Sequence, residues 1–137
     1  MPRGRGQRKL GPQALRARAE LADLRMRRGR PDEASVLIAE VLKENPRNNQ
    51  ALMLRGQIAL DRGDLLNAVA DFRSVFKDQP NSVPVITQLA RAHLANGEPE
   101  LAKETLAKAV ALYPNEPEVR VLMAELKAAT SDFAGAA

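Results

Sequence analysis

The sequence predicts an all-α fold assembled from a linear array of two-helix repeats. Aromatic residues make up only 3% of the 137 residues while 45% are hydrophobic. The core must therefore consist mainly of Ala, Leu, Val, Ile and Met, which suits closely spaced helices. Three residue types also recur every 34 positions, a period typical of helical repeat proteins in which each unit packs against its neighbours. They are Pro46, Pro80 and Pro114; Gly29, Gly63 and Gly97; and Ala34, Ala68 and Ala102.

The first repeat, about residues 12–46, shows how glycine and proline delimit the helices. Its first helix has apolar residues interleaved with charged ones at helical spacing. Gly29 is expected to end that helix, since glycine accepts the left-handed conformation found after helix C-termini. Pro31 suits the first turn of the second helix, where its missing N–H costs nothing. The second helix ends before Pro46, because the residue preceding a proline is disfavoured in the α region.

The second and third repeats, about residues 47–80 and 81–114, follow the same design with different side chains. Asp64 and Ser82 stand where a helix N-cap is needed, and their side-chain oxygens are expected to accept hydrogen bonds from the first helical turn. The spacing of apolar residues also predicts the buried face of the second helix of repeat two. That face consists of Ala68, Val69, Phe72, Val75 and Phe76.

Residues 115–130 resemble the first helix of a fourth repeat, and no second helix is predicted after them. A repeat array needs a final helix to cover the apolar flank of its last complete repeat. We therefore expect a C-terminal capping helix here. Residues 12–137 are expected to form a single domain.

Residues 1–11 are expected to form a flexible basic tail, because three glycines, a proline and four basic residues offer little apolar surface to stabilise an ordered structure. Residues 1–30 hold ten basic and two acidic residues, whereas residues 31–137 hold eleven basic and fifteen acidic ones. Two Arg-Gly pairs without an aromatic residue are a weak signal for nucleic acid. Binding of nucleic acid or an anionic surface is therefore the less favoured alternative. Its candidate residues are Arg3, Arg5, Arg8, Lys9 and the cluster at 25–30.

The residues at the 34-residue period resemble the tetratricopeptide repeat (TPR) family, whose pattern is W-x2-L-G-x2-Y in helix A, then A-x3-F and a closing proline in helix B. Repeat two fits this pattern best. Gly56 matches the helix A glycine, and Pro80 matches the closing proline. Ala68 and Phe72 match A-x3-F. The resemblance covers about residues 12–129 and implies a right-handed α-solenoid of three TPR helix-turn-helix repeats plus the capping helix.

Two positions of helix A decide how closely the helices pack. One must be small, because the backbones of helices A and B approach closely where they cross; it is occupied by Ala22, Gly56, Ala90 and Ala124. The other is the aromatic position of the TPR pattern, and here it holds Arg25, Ala59, His93 and Lys127. Packing at that level is expected to rely partly on Arg and Lys stems. His93 is expected to be a structural residue rather than a metal ligand or a base.

The residue inventory disfavours catalysis and metal binding. The chain has one histidine and no cysteine, whereas a metal site needs several ligands and catalysis needs convergent groups. We therefore expect no enzymatic activity, no cofactor and no metal. No apolar run approaches the roughly 18–20 residues that a membrane-spanning helix needs.

The resemblance implies that a peptide or a partner protein binds in a concave groove lined by the A helices. The residues expected to project into this groove are Arg16, Asp23, Met26, Arg27, Gln50, Met53, Gln57, Leu60, Thr87, Arg91, Leu94, Val121 and Glu125. Among them, Met26, Leu60 and Leu94 recur at the repeat period and would form an apolar stripe. Such a stripe suits an amphipathic helix or an extended apolar segment. The alternative is that these three side chains only pad the wall.

One specialisation of the family is disfavoured by the sequence. TPR co-chaperones grip an acidic C-terminal peptide with a clamp of Lys, Arg and Asn side chains. The matching positions here hold residues that cannot chelate a carboxylate. They are Ala19, Asp23, Leu54, Pro84 and Gln88.

The sequence thus predicts a non-enzymatic adaptor or scaffold, and self-assembly into a homo-oligomer through the truncated fourth repeat is an alternative. The segments LRGQIAL, DQPNSVP and LARAHLANGEPELA also resemble repeats of large bacterial TPR proteins associated with surface-polymer and protein-sorting export. The cytoplasm is the favoured compartment. A periplasmic location follows if the chain is a segment of such an exported protein.

Overall fold

The computed structural model describes residues 10–136, and every regular element in that range is an α-helix. The predicted basic tail therefore lies almost entirely outside the described residues. The helices are α1 (Pro12–Arg27), α2 (Pro31–Glu44), α3 (Asn49–Asp61), α4 (Leu65–Asp78), α5 (Val83–Ala95), α6 (Pro99–Leu112) and α7 (Pro117–Ala136). We call α1, α3, α5 and α7 the A helices, and α2, α4 and α6 the B helices. The all-α class predicted from composition and periodicity is confirmed.

Glycine forms the turn between helix A and helix B in each repeat. Gly29, Gly63 and Gly97 have φ angles of 71°, 77° and 74°, which is the left-handed region that glycine adopts without strain. In the first turn, the Arg30 N–H donates to the Arg25 carbonyl at 2.8 Å. The other two turns contain the corresponding bond. This is the Schellman arrangement, which satisfies the last carbonyls of helix A. The prediction for Gly29 is confirmed.

Asp64 and Ser82 occupy the predicted N-cap positions, but neither side chain makes a capping hydrogen bond. At Asp64 the backbone has φ −85° and ψ 73°, outside the β region from which an N-cap side chain reaches the first-turn N–H groups. Its carboxylate instead accepts a hydrogen bond from Asn67 Nδ2 at 2.8 Å. The predicted side-chain capping is therefore wrong at both residues.

The chain folds into two compact units, Met1–Arg55 and Gly56–Ala137. In the first unit, α1 packs against α2, and buried side chains come from both helices. They are Ala19, Ala22, Ala34, Ile38 and Val41. Outside this core, Arg18 Nε donates to Glu40 Oε2 at 2.9 Å and links the two helices.

The second unit contains a core to which α5, α6 and α7 all contribute. Its buried side chains are Ile86, Ala90, Ala102, Leu106, Ala109, Val119, Leu122 and Leu126. Because α7 packs against both α5 and α6, it covers the apolar flank of the third repeat. The structure thus confirms that α7 is a capping helix.

Helix α7 is longer than the sequence predicted. It continues to Ala136, beyond the expected end near residue 130. The added segment, residues 131–136, contains two alanines and no proline, and alanine has the strongest intrinsic preference for the helix. No residue in it therefore forces the helix to end.

The small residues at the helix crossings behave as predicted in the three complete repeats. Ala22 and Ala90 are 0% and 1% exposed, and Gly56 is also buried. A Cβ built on Gly56 would lie 2.5 Å from Cε1 of Phe72, so the Phe72 ring occupies the space that any side chain would need. By contrast, Ala124 of α7 is exposed.

Candidate interaction surface on the A helices

In the first unit, the A helices present both polar and apolar side chains at the positions predicted for the groove. Arg16, Arg27 and Gln50 are exposed, whereas Met26 and Met53 are half-buried. Asp23, also half-buried, is not free. It pairs with Arg27 one helical turn later, at 2.9 Å between Asp23 Oδ2 and Arg27 Nη2. This part of the surface therefore contains two half-buried methionines and one ion pair, in which the charges of Asp23 and Arg27 neutralise each other.

In the second unit, the residues at the predicted positions on the A helices differ in how much of each side chain is exposed to solvent. The half-buried residues are Gln57, Leu60, Arg91 and Leu94, and the exposed ones are Val121 and Glu125. Leu94 packs partly against the core cluster. Val121 is 51% exposed. These side chains form a mixed surface on which apolar residues remain accessible.

Thr87 differs from the other predicted groove residues, because only 4% of it is exposed. Its hydroxyl donates to the carbonyl oxygen of Val83 at 2.9 Å, a bond within its own helix that Thr side chains commonly make. Thr87 therefore offers neither surface nor a free donor to a partner.

His93 is buried in the turn between α5 and α6. It is 4% exposed, and its Nδ1 lies 3.0 Å from Oε1 of Glu98. The hydrogen bond from His93, supported by one from Asn96, holds the pKa of the Glu98 carboxyl below its usual value. His93 is therefore packed inside the third repeat and held by a contact to Glu98.

The basic cluster at 25–30 is partly neutralised. Arg25 Nε lies 3.5 Å from Glu33 Oε2, and Arg30 Nη1 lies 3.6 Å from the same oxygen. Arg28 is exposed. The remaining residues of the nucleic-acid alternative, Arg3, Arg5, Arg8 and Lys9, lie outside the described residues.

Two sequence profiles of the tetratricopeptide repeat family match the chain, one over residues 59–136 and the other over residues 8–82. Each match spans more than half of the sequence. The chain belongs to the TPR family. The sequence matches none of the curated proteins with which it was compared.

Solved TPR domains share the fold over nearly the whole chain. The first TPR of Spaghetti (RPAP3), in a structure with the HSP90 peptide SRMEEVD, superposes with a TM-score of 0.78 at 18% sequence identity. That match covers 93% of this chain and 98% of the other. The NMR structure of the first TPR domain of human RPAP3 gives the same TM-score and identity, covering 89% of this chain and 96% of the other. At this identity the likeness shows the fold, which is an all-α TPR solenoid.

None of the five clamp positions of this TPR protein holds a basic residue. Ala19 and Leu54 are 1% and 5% exposed. Asp23 carries a negative charge and is already paired with Arg27. Pro84 is exposed and Gln88 is half-buried, and neither carries a positive charge. None of these five side chains can itself pair with a carboxylate.

Two further classes of site are absent from the part of the chain that the structure describes. No three His, Cys, Asp or Glu side chains there lie close enough together to hold a metal ion. No helix in that part has both the length and the apolar content needed to cross a bilayer.

One feature of this TPR domain was not predicted from the sequence. Helices α6 and α7 border an apolar groove with a volume of 580 Å³. The sequence gives one indication of this groove. Ala124 stands at the small-residue position of helix A, where a helix B normally packs, although no helix B is predicted after this helix.

Proposed function

We propose that this TPR domain is a non-enzymatic interaction module that binds a peptide or a partner protein on the exposed face of its A helices. The observation that carries this proposal is the recurrence of accessible apolar side chains on these helices. Met26, Leu60 and Leu94 repeat at the 34-residue period, and each is half-buried. A core residue would be covered completely, whereas these keep part of their surface available to a partner.

The chemistry of this face favours an apolar segment over an acidic one. In the second unit, Leu60, Leu94 and Val121 supply apolar surface, while Arg91 and Glu125 carry opposite charges beside it. Such a surface suits an amphipathic helix or an extended apolar peptide, with polar groups fixing its orientation. The structure of the Spaghetti TPR holds an acidic HSP90 peptide, but the clamp positions here lack the cations for that mode. We therefore propose that this chain binds an apolar or amphipathic peptide rather than an acidic one.

The proposal is tested by selecting ligands from a random peptide library displayed on phage, with the purified chain as bait. Enriched peptides are synthesised, and their affinities are measured by isothermal titration calorimetry. Val121→Glu is the informative variant because Val121 is exposed on α7 and is not one of the buried core residues, so its replacement is expected to change stability little. We expect it to weaken binding at least tenfold, since the substitution places a charge against an apolar ligand.

Leu66→Glu is the matched control. Leu66 is 75% exposed and lies on the B helix α4, away from the A helices. This variant is expected to bind like the wild-type chain. Equal affinities of the Val121→Glu and wild-type chains for every selected peptide would contradict the proposal.

A further inference from the structure

Arg91 of α5 is a half-buried cation to which the described residues supply no counter-charge. Three arginines in the described part of the chain are half-buried, namely Arg18, Arg25 and Arg91. Arg18 Nε lies 2.9 Å from Glu40 Oε2, and Arg25 Nε lies 3.5 Å from Glu33 Oε2. Arg91 forms neither a hydrogen bond nor an ion pair with any residue that the structure describes. Its guanidinium donors are therefore available to a group from outside these residues.

The sequence of α5 explains why its own helix does not neutralise Arg91. Side chains three and four residues apart are neighbours on a helix surface. None of the four residues at these distances from Arg91 is acidic; they are Thr87, Gln88, Leu94 and Ala95. Arg27 of α1, by contrast, has Asp23 one turn before it, and the two pair at 2.9 Å. The positive charge of Arg91 thus remains uncompensated within α5.

The neighbouring A helix does not supply the missing carboxylate either. Helix α7 packs against α5, and Glu125 stands 34 positions after Arg91. Glu125 is exposed, and no ion pair joins these two residues in the described part of the chain. Apolar side chains accompany both charges. Leu94 follows Arg91 by three residues, and Val121, which is 51% exposed, precedes Glu125 by four.

We propose that Arg91 selects the partner of the A-helix face by pairing with one aspartate or glutamate side chain within an otherwise apolar or amphipathic segment. This inference rests on the proposed function and adds the charge that the bound segment must carry. Apolar residues beside the acidic one contact Leu94 and Val121. A guanidinium donates two parallel hydrogen bonds to one carboxylate, which lysine and glutamine cannot reproduce. A carboxylate gains more from a partly buried cation than from one in open water.

The first test uses random 12-residue peptides displayed on phage through their C-termini, so that no displayed peptide has a free terminal carboxylate. Selection on the full chain is expected to enrich peptides that share one acidic residue flanked by apolar ones. Enriched peptides are synthesised with amidated C-termini, and their affinities are measured by isothermal titration calorimetry. Replacing the shared acidic residue by its amide is expected to weaken binding about tenfold, because a charge-assisted hydrogen-bond pair is lost.

A double-mutant cycle assigns that loss to Arg91. Arg91→Gln is expected to weaken binding of the acidic peptide about tenfold and to leave binding of the amide peptide unchanged, since the two groups act as a pair. Arg91→Lys is expected to restore part of the affinity. Arg120→Gln is the matched control, because Arg120 is an exposed arginine of α7 and its loss removes the same charge from the same unit. Circular dichroism verifies that each variant is folded.

A charge reversal tests the assignment independently of any one peptide. The selection is repeated with Arg91→Glu as bait. We expect the enriched peptides to carry lysine or arginine at the position where the wild-type chain selects an acidic residue, with the flanking apolar residues retained. Enrichment of the same acidic peptides by both baits would overturn the assignment.

The outcomes separate this inference from the proposed function. Peptides whose affinity falls with Val121→Glu but not with Arg91→Gln would overturn the role of Arg91 and leave the A-helix face as the binding surface. Peptides that neither substitution affects would contradict both. The assignment also fails if Arg91→Gln and Glu125→Gln lower the thermal midpoint equally and the double variant lowers it no further, because α7 would then supply the carboxylate.

Discussion

Gly56 is required for the close packing of Phe72, a fully buried ring, on α3. A Cβ at this position would lie 2.5 Å from Cε1 of that ring, so Gly56→Ala forces the ring or the backbone to move. Overpacking of this kind costs about 1–3 kcal/mol, and the better helix propensity of alanine returns about 0.5–1 kcal/mol. We expect a net loss of roughly 1–2 kcal/mol in the free energy of unfolding, measured by urea denaturation.

The control for this prediction is a double-mutant cycle with Phe72→Leu. The smaller side chain lowers stability on its own but leaves room for the new methyl group. Gly56→Ala is therefore expected to cost less in the Phe72→Leu background than in the wild-type chain. If the two losses of free energy simply add, the contact between these residues does not explain why glycine is needed at the crossing.

The glycine turns set the ends of the A helices through backbone conformation alone. At Gly97 the φ angle is 74°, and an added Cβ would meet no atom within 4 Å. Gly97→Ala should therefore destabilise the chain by about 1–2 kcal/mol because of left-handed strain. Gly97→Asn should cost less, since asparagine tolerates this conformation. Equal thermal stabilities of the alanine variant and the wild type would contradict this explanation of the turn.

The contact between His93 and Glu98 makes the stability of the third repeat depend on pH. Hydrogen bonds lower the pKa of Glu98 from its usual value of 4.5. The ionised carboxylate therefore stabilises the fold above the unfolded pKa, and this contribution is lost as the pH falls through the lower folded value. We expect Glu98→Gln to reduce the thermal midpoint near pH 6 and the difference from wild type to shrink toward pH 3.

Glu100→Gln is the matched control for the pH experiment, since Glu100 is an exposed glutamate in the first turn of the same helix. Its thermal midpoint should follow that of the wild type across the pH range. A deficit of Glu98→Gln that stays constant from pH 6 to pH 3 would exclude the proposed linkage.

The helices could be predicted from sequence because glycine and proline act on the backbone locally. Gly29, Gly63 and Gly97 end the A helices through their own φ angles, which require no knowledge of the tertiary structure. Side-chain capping could not be predicted in the same way, and the capping expected at Asp64 does not occur, because the direction of a side chain depends on the conformation of the turn. The length of α7 was also missed, since residues 131–136 contain no proline, the residue that most strongly ends a helix.

At the scale of the whole molecule, the repeat period predicted which residues lie on the A helices. It did not predict how much of each side chain is exposed. Leu60 and Leu94 could be assigned to the A helices by counting positions, and both keep part of their surface exposed. The burial of Thr87 depends on neighbouring helices, which the sequence pattern does not specify. The α6/α7 groove escaped prediction for a related reason, because its depth depends on how closely α6 and α7 pack.

We propose that this TPR domain binds its partner on the A-helix face. The most direct test is an NMR titration, in which a selected peptide is added to the isotopically labelled chain and the backbone amide shifts are followed. In the second unit, we expect the largest changes at Leu60, Arg91, Leu94 and Val121. Changes confined to α4 and α6, with these four amides unaffected, would contradict the claim.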